Sequence, residues 1–332
     1  MAKLKLTLAC GNYDRTRALM EGTVQPEGID LNYLPLPPGE TFWRMLNNEE
    51  FDASEMSLSS YTILCSQGDQ RFVALPVFPS RIFRHSCIYI RSASGIQKPQ
   101  DLKGKRIGVG DYQMTAAVWA RGFLKHEYQV SADELRWVVG TPVRAGISLP
   151  AQVPMDGTNP GQSLEAMLEV GKIDALISVV IPQSFRSKSP HVKRLISNYR
   201  EVETEYYRRT RIFPIMHTFV LKRELFQKEP WIAISLYKAF VQAKDLAYSR
   251  LYDSNALVTG LPWLIDEIES TRRIFGEEIW DYSIDGSRPT LEGFLQYLDE
   301  QGLMYRRMRV DELFVSNIRS ELVHYLRGTG EG

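Results

Sequence analysis

Leu4, Leu6 and Leu8 alternate with Lys5 and Thr7, and this period of two predicts a half-buried strand. It runs into the polar turn Gly11-Asn12-Tyr13-Asp14-Arg15-Thr16. Pro26-Glu27-Gly28 marks a second turn before a strand over residues 29–36, and Pro37-Pro38-Gly39-Glu40 punctuates the chain ahead of a short helix over 42–46. Phe51-Asp52-Ala53-Ser54 enters a third strand-to-loop transition. Further on, Leu102-Lys103-Gly104-Lys105-Arg106 turns into the apolar run Ile107-Gly108-Val109-Gly110. Thr115 stands where it would cap a helix whose apolar face is Ala116, Trp119, Phe123 and Leu124. A strand is expected over 135–139, a short helix over 163–170 stopped by Gly171, and a buried β-branched strand over 173–181.

Residues 140–161 hold four prolines and four glycines and read as a long irregular excursion over a pocket, since loops of that length are usually functional. A strand over 212–221 follows, and then the pattern turns helical. Pro230 opens a helix with the stripe Ile232, Leu236, Phe240, Ala243 and Ala247. Later helices are expected over 261–275, 290–301 and 310–326. Strands alternating with helices imply an α/β class, and ligands of such sheets sit at the carboxyl ends of strands. At 332 residues the chain passes the size at which one core keeps growing, so two lobes are expected.

Composition narrows the function. Forty Lys and Arg balance forty Asp and Glu, which argues against a nucleic-acid partner without excluding a local cationic pocket. No run of about 18 apolar residues predicts a membrane span. The first ten residues lack the apolar run and cleavage site of a secretory leader, and Cys10, Cys65 and Cys87 form no CxxC pair, so free thiols in the cytoplasm are expected. Gly108 and Gly110 are followed by Gln113 where GxGxxG needs its third glycine, so no dinucleotide cofactor is expected.

Four motifs carry candidate chemistry. Ser54-Glu55-Met56-Ser57-Leu58-Ser59-Ser60-Tyr61 is either a carboxylate or phosphate cradle at a helix start, through Ser57, Ser59 and Ser60, or an ordinary N-cap. Phe78-Pro79-Ser80-Arg81-Ile82-Phe83-Arg84-His85-Ser86 places Arg81 and Arg84 three apart, so a single helical turn would aim both at one carboxylate; the plainer reading is a solvated basic loop. Asp111-Tyr112-Gln113-Met114-Thr115 opens a helix at a strand end, where Tyr112, Thr115 and the amides would face an anion. Phe213-Pro214-Ile215-Met216-His217-Thr218 sets a histidine in an apolar strand, a general acid or base if it has a partner and a structural residue if it has none.

Taken together, GNYDR, PEGIDL, FDASEMSLSSY, FPSRIFRHS, DLKGKRIGV, GDYQMTAAVWARGFL and FPIMHT resemble the 4,5-dihydroxyphthalate decarboxylase family, over roughly residues 5–225. DLKGKRIGV and GKIDALIS are similar to segments of many solute-binding proteins and speak for fold, whereas FDASEMSLSSY and FPSRIFRHS are more specific. The resemblance implies a two-lobed α/β fold of the type II periplasmic-binding-protein kind, with a mixed, mostly parallel sheet in each lobe. Residues 1–88 and 214–332 would form the first lobe and 89–213 the second, joined by crossing strands near 86–91 and 213–221.

The activity it implies is non-oxidative decarboxylation of an aromatic dicarboxylate, 4,5-dihydroxyphthalate to 3,4-dihydroxybenzoate and CO2. Arg81 and Arg84, with Ser57, Ser59, Ser60, Tyr112 and Thr115, would bind the substrate. His85 or His217, near the hinge, would donate the proton, and Glu55, Asp14 or the other histidine would face the ring hydroxyls. No cofactor is assigned; a divalent metal on His85, His217 and Asp14 or Glu55 has no helical HxxxH or HxxE spacing behind it. The competing expectation is a non-catalytic binding protein for a small anion. No membrane partner is expected, and the exposed faces of the C-terminal helices are where a second subunit would pack.

Overall fold

Two sheets organise the chain, and which strands each contains explains where the functional groups meet. The computed structural model describes residues 2–141, 147–151, 153–158 and 162–318. Its first half runs β1 (Leu4–Cys10), α1 (Asp14–Met20), β2 (Ile29–Pro35), α2 (Pro38–Asn48), β3 (Ala53–Ser57), α3 (Leu58–Ser66), β4 (Phe72–Arg81), β5 (Ile88–Arg91), β6 (Arg106–Val109), α4 (Thr115–Tyr128) and β7 (Arg136–Val139). Then come β8 (Met155–Gly157), α5 (Leu164–Glu169), β9 (Ala175–Ile177), α6 (Gln183–Arg186), β10 (Val192–Arg194), α7 (Tyr199–Thr210), β11 (Ile215–Lys222), α8 (Arg223–Lys228), α9 (Trp231–Leu251), α10 (Leu264–Phe275) and α11 (Ile284–Glu300).

The first sheet has the order β2-β1-β3-β11-β4 and the second β10-β5-β9-β6-β7-β8. β1 pairs in parallel with β2 and β3, while β11 enters antiparallel between β3 and β4. In the second sheet β6 is parallel to β7 and β9, β7 to β8, and β5 is antiparallel to β9 and β10. The chain therefore changes sheet between Arg81 and Ile88, and returns between Arg194 and Ile215. Such a return requires β11 to be long and apolar, because it is buried among strands on both edges.

One core joins the two sheets. Every residue of α4 from Thr115 to Leu124 is buried, as α11 crosses over it. A Cβ on Gly122 would lie 1.9 Å from the Tyr297 ring, so only glycine permits that approach. Buried polar groups fix the crossing: Trp119 Nε1 donates to the Ile215 carbonyl at 2.9 Å, Gln301 Nε2 to Val118 O at 2.9 Å, and Arg121 Nε to Gln301 Oε1 at 2.7 Å.

Several local expectations change. The second half of the polar stretch after β1 is helix, since α1 starts at Asp14. α2 is longer than its apolar run, because Pro38 supplies a preset first turn. The region expected as a helix over 310–326 is a 3₁₀ turn, Val310–Glu312, followed by a bridge from Phe314 to Ala74; its part beyond 318 lies outside the described residues. Within 140–161, Met155–Gly157 pairs with β7 as an edge strand, and residues 142–146, 152 and 159–161 lie outside the description.

Candidate acid–base site

Strand register alone brings an acid and a base together. β3 and β11 pair antiparallel with His217 opposite Ser57 and Phe219 opposite Glu55. Glu55 and His217 are thus diagonal neighbours on one face, within side-chain reach. Glu55 Oε1 lies 2.5 Å from His217 Nδ1. The carboxylate has no solvent exposure, while the imidazole keeps 18% of its side-chain surface exposed. Its Nε2 has no hydrogen-bond partner among the described residues and is not enclosed. An ionised Glu55 only accepts, so Nδ1 carries a proton and Nε2 is the nitrogen that exchanges protons with a bound molecule. Phe42 of α2 meets the ring edge-on at 4.9 Å and limits its rotation.

The parallel pairing of β1 with β3 supplies the remaining partners of Glu55. The Gly11 amide donates to Oε2 at 2.9 Å, the Tyr13 hydroxyl to Oε1 at 2.6 Å, and the Cys10 thiol lies 3.6 Å from Oε2. Burial alone would raise the Glu55 pKa; the His217, Tyr13 and Gly11 interactions outweigh it and hold the carboxyl below its ordinary value. Burial and the same carboxylate push the Cys10 thiol and the Tyr13 phenol up, so both stay protonated. A Cβ on Gly11 would come within 2.7 Å of the Tyr13 ring, which explains the glycine at this bend. Tyr33 of β2 holds the bend by donating to the Gly11 carbonyl at 2.8 Å. Arg15 lies between Tyr13 and Trp280, 4.5 and 4.1 Å from their ring centroids, and binds the Pro79 carbonyl.

The serine cradle takes a different form from the one expected. Ser57, Ser59 and Thr115 are buried and bond one another: Ser57 Oγ is 3.1 Å from Ser59 Oγ and 3.0 Å from Thr115 Oγ1, and Ser59 Oγ donates to the Gln113 carbonyl at 2.5 Å. These hydroxyls tie the start of α3 to the start of α4, and so one lobe to the other. Ser60 is buried in the first turn of α3, where its amide approaches Ser57 Oγ at 3.5 Å. Tyr112 is enclosed, with Arg121 3.8 Å over its ring and Trp137 edge-on, and its hydroxyl has no hydrogen-bond partner among the described residues.

Arg81 and Arg84 do not share a helical turn, because β4 extends through Arg81. Arg81 is buried and donates to the carbonyls of Asp281 and Phe213 at 3.0 and 3.3 Å, bracing the backbone rather than presenting a fork. Arg84 is half-buried beside Met216, its Nε 3.2 Å from the sulfur, and makes no ion pair among the described residues. Burial lowers its pKa, with Cys87 and Glu203 pulling weakly the other way.

His85 does not join His217. It is buried, stacked on Phe123 at 4.1 Å with Tyr206 edge-on, and its Nδ1 lies 3.6 Å from Glu203 Oε1. Asp14 is 60% exposed and pairs with Arg15 at 2.8 Å. The set of His85, His217 and Asp14 therefore does not assemble around one point, and no group of three or more His, Cys, Asp or Glu is placed to hold a metal among the described residues.

A 4,5-dihydroxyphthalate decarboxylase from Comamonas testosteroni is 39% identical to this chain over 320 residues, covering 95% of this chain and 97% of that one. The chain belongs to the 4,5-dihydroxyphthalate decarboxylase family. A second member, from Pseudomonas putida, is 40% identical over 214 residues, covering 63% of this chain and 83% of its own length. No family model matches the chain. Among solved structures it is similar to the aliphatic sulphonate binding protein SsuA from Escherichia coli, with 13% identity, a TM-score of 0.56 and coverage of 95% and 99%. It is also similar to a putative sulfonate-binding SsuA from Methylobacillus flagellatus, with 14% identity, a TM-score of 0.58 and coverage of 100% and 96%. The desulfurization enzyme DszB matches at 15% identity, a TM-score of 0.53 and coverage of 99% and 100%. These likenesses establish the type II periplasmic-binding-protein-like fold. In this member of the decarboxylase family, sequence reasoning missed Cys10, Tyr13 and Arg15 as neighbours of the dyad. Tyr13 and Arg15 were present in GNYDR, of which only Asp14 was singled out, and Cys10, which directly precedes it, was read only as a free thiol.

Proposed function

We propose that the protein decarboxylates 4,5-dihydroxyphthalate to 3,4-dihydroxybenzoate and CO2, with His217 as the proton-transfer group. The observation that carries this is the buried Glu55 carboxylate on His217 Nδ1, which leaves Nε2 accessible. Family membership supplies the substrate class.

The chemistry makes three demands. The hydroxyl para to the departing carboxylate gives its proton to solvent water, which returns one after CO2 has left, and its electron pair moves through the ring to the carbon bearing that carboxylate. The His217 imidazolium protonates this carbon from Nε2. The bond to the carboxylate then breaks, its electrons restore the aromatic ring, and neutral CO2 leaves. Glu55 stabilises the imidazolium before transfer and preserves the tautomer afterwards. A strong cation at the departing carboxylate would stabilise the ground state that must be lost, so the cation belongs on the carboxylate that stays. Arg84 fits that part, because a half-buried guanidinium without a carboxylate partner is costly until an anion arrives.

The test is conversion of 4,5-dihydroxyphthalate by the purified protein, followed by its ultraviolet spectrum and by released CO2. His217→Ala should lower turnover by about 10²- to 10⁴-fold while leaving binding within a few-fold. Saturable binding with no product from the unmodified protein would instead establish a binding protein.

A further inference from the structure

Glu55 Oε1 receives two donors, and the second of them has no role in the reaction as described so far. The Tyr13 hydroxyl and His217 Nδ1 lie 2.6 and 2.5 Å from this one oxygen. We propose that Tyr13 is a positioning residue for the acid–base pair, sharing Glu55 Oε1 with His217 and keeping that carboxylate ionised and turned toward β11. This rests on the decarboxylase reading for its meaning in turnover, though not for its geometry.

Three observations single out Tyr13. Its ring is fixed on both sides, by the side-chain-free Gly11 and by the Arg15 guanidinium. Its hydroxyl reaches the carboxylate from the loop entering α1, an element separate from the strand carrying His217. Without it, Oε1 would hold His217 alone and the carboxylate could rotate about its last bond, since only the Gly11 amide anchors the other oxygen from the backbone.

The groups facing this carboxylate can be named element by element. β1 contributes the Cys10 thiol, the loop Tyr13, α1 the Arg15 guanidinium with Asp14 behind it, β2 the Tyr33 hydroxyl through Gly11, and β11 His217. α2 presents the uncharged Phe42 ring to the imidazole. Among the described residues, Glu55 is the one carboxylate hydrogen-bonded to Tyr13. A carboxylate whose folded pKa lies below its unfolded value contributes stability above the unfolded pKa and loses it as pH falls through the folded one. Removing a donor raises the folded value toward the unfolded one, so less stability is lost on acidification and the loss is complete at a higher pH.

Tyr13→Phe keeps the ring and its packing and removes only the oxygen. The expected results are a kcat reduced about tenfold with KM within about twofold, and an acid limb of activity moved up by on the order of one pH unit. Thermal unfolding of both proteins, measured from pH 3 to 7, reads the same carboxylate without any substrate. There the unmodified protein should be the more stable at pH 7, and its advantage over Tyr13→Phe should narrow as pH falls through the same range. A stability difference that stays constant from pH 7 to 3 overturns the Tyr13 assignment, whatever kcat does. If the difference narrows while the unmodified protein makes no 3,4-dihydroxybenzoate, the assignment to Glu55 stands and the decarboxylase reading fails.

Discussion

Replacing Glu55 with glutamine tests the centre of the site with almost no change in volume. The carboxylate is fully buried, with Tyr13 and His217 on Oε1 and the Gly11 amide and Cys10 thiol beside Oε2. An amide offers one accepting oxygen and one donating nitrogen. The Gly11 N–H cannot reverse, so the amide oxygen takes the Oε2 position and the NH2 group faces Tyr13 and His217. Tyr13 can rotate its hydroxyl to accept, but His217 must present a bare Nδ1 and carry its proton on Nε2. The variant then holds the wrong tautomer for taking up a proton at Nε2, and its imidazolium has lost the adjacent counter-charge. Loss of a working acid–base group costs about 10² to 10⁴ in turnover. Exchanging bonds to a charged acceptor for neutral ones costs about 1–3 kcal/mol of stability. Single-turnover conversion at pH 7, beside a thermal melt and circular dichroism, separates the two effects. A kcat within fivefold of the unmodified protein, with a native melt, would refute the dyad.

Arg84→Gln should raise KM about 10- to 100-fold, the worth of a hydrogen bond to a charged group, with kcat less affected; an unchanged KM would move the carboxylate site elsewhere. Gly122→Ala should destabilise the protein by about 1–3 kcal/mol or more, because the added methyl overlaps the Tyr297 ring where α11 crosses α4. A differential melt showing no loss would mean that the crossing is looser than its packing indicates.

The pattern of residues accounts for much of the fold and for both members of the dyad, but not for the groups around them. Alternation at Leu4, Leu6 and Leu8 marks β1, and the stripe from Ile232 to Ala243 marks the inward face of α9, because period and burial are local properties of a chain. Glu55 in a serine-rich motif and His217 in an apolar strand each stand out as titratable groups, which residue type alone reveals. Their partnership does not, since 162 positions separate them and only the β3–β11 register brings them to 2.5 Å. Arg81 and Arg84 show the converse: adjacency in sequence pointed to a joint role, but a strand running through Arg81 sends one to brace backbone carbonyls and leaves the other beside Met216. The hydroxyls of Ser57, Ser59 and Thr115 likewise read as a ligand cradle until the approach of two helix starts turned them toward each other. Strand, helix and chemical type follow from local sequence; which donors remain for a ligand depends on which neighbours tertiary contacts have already supplied.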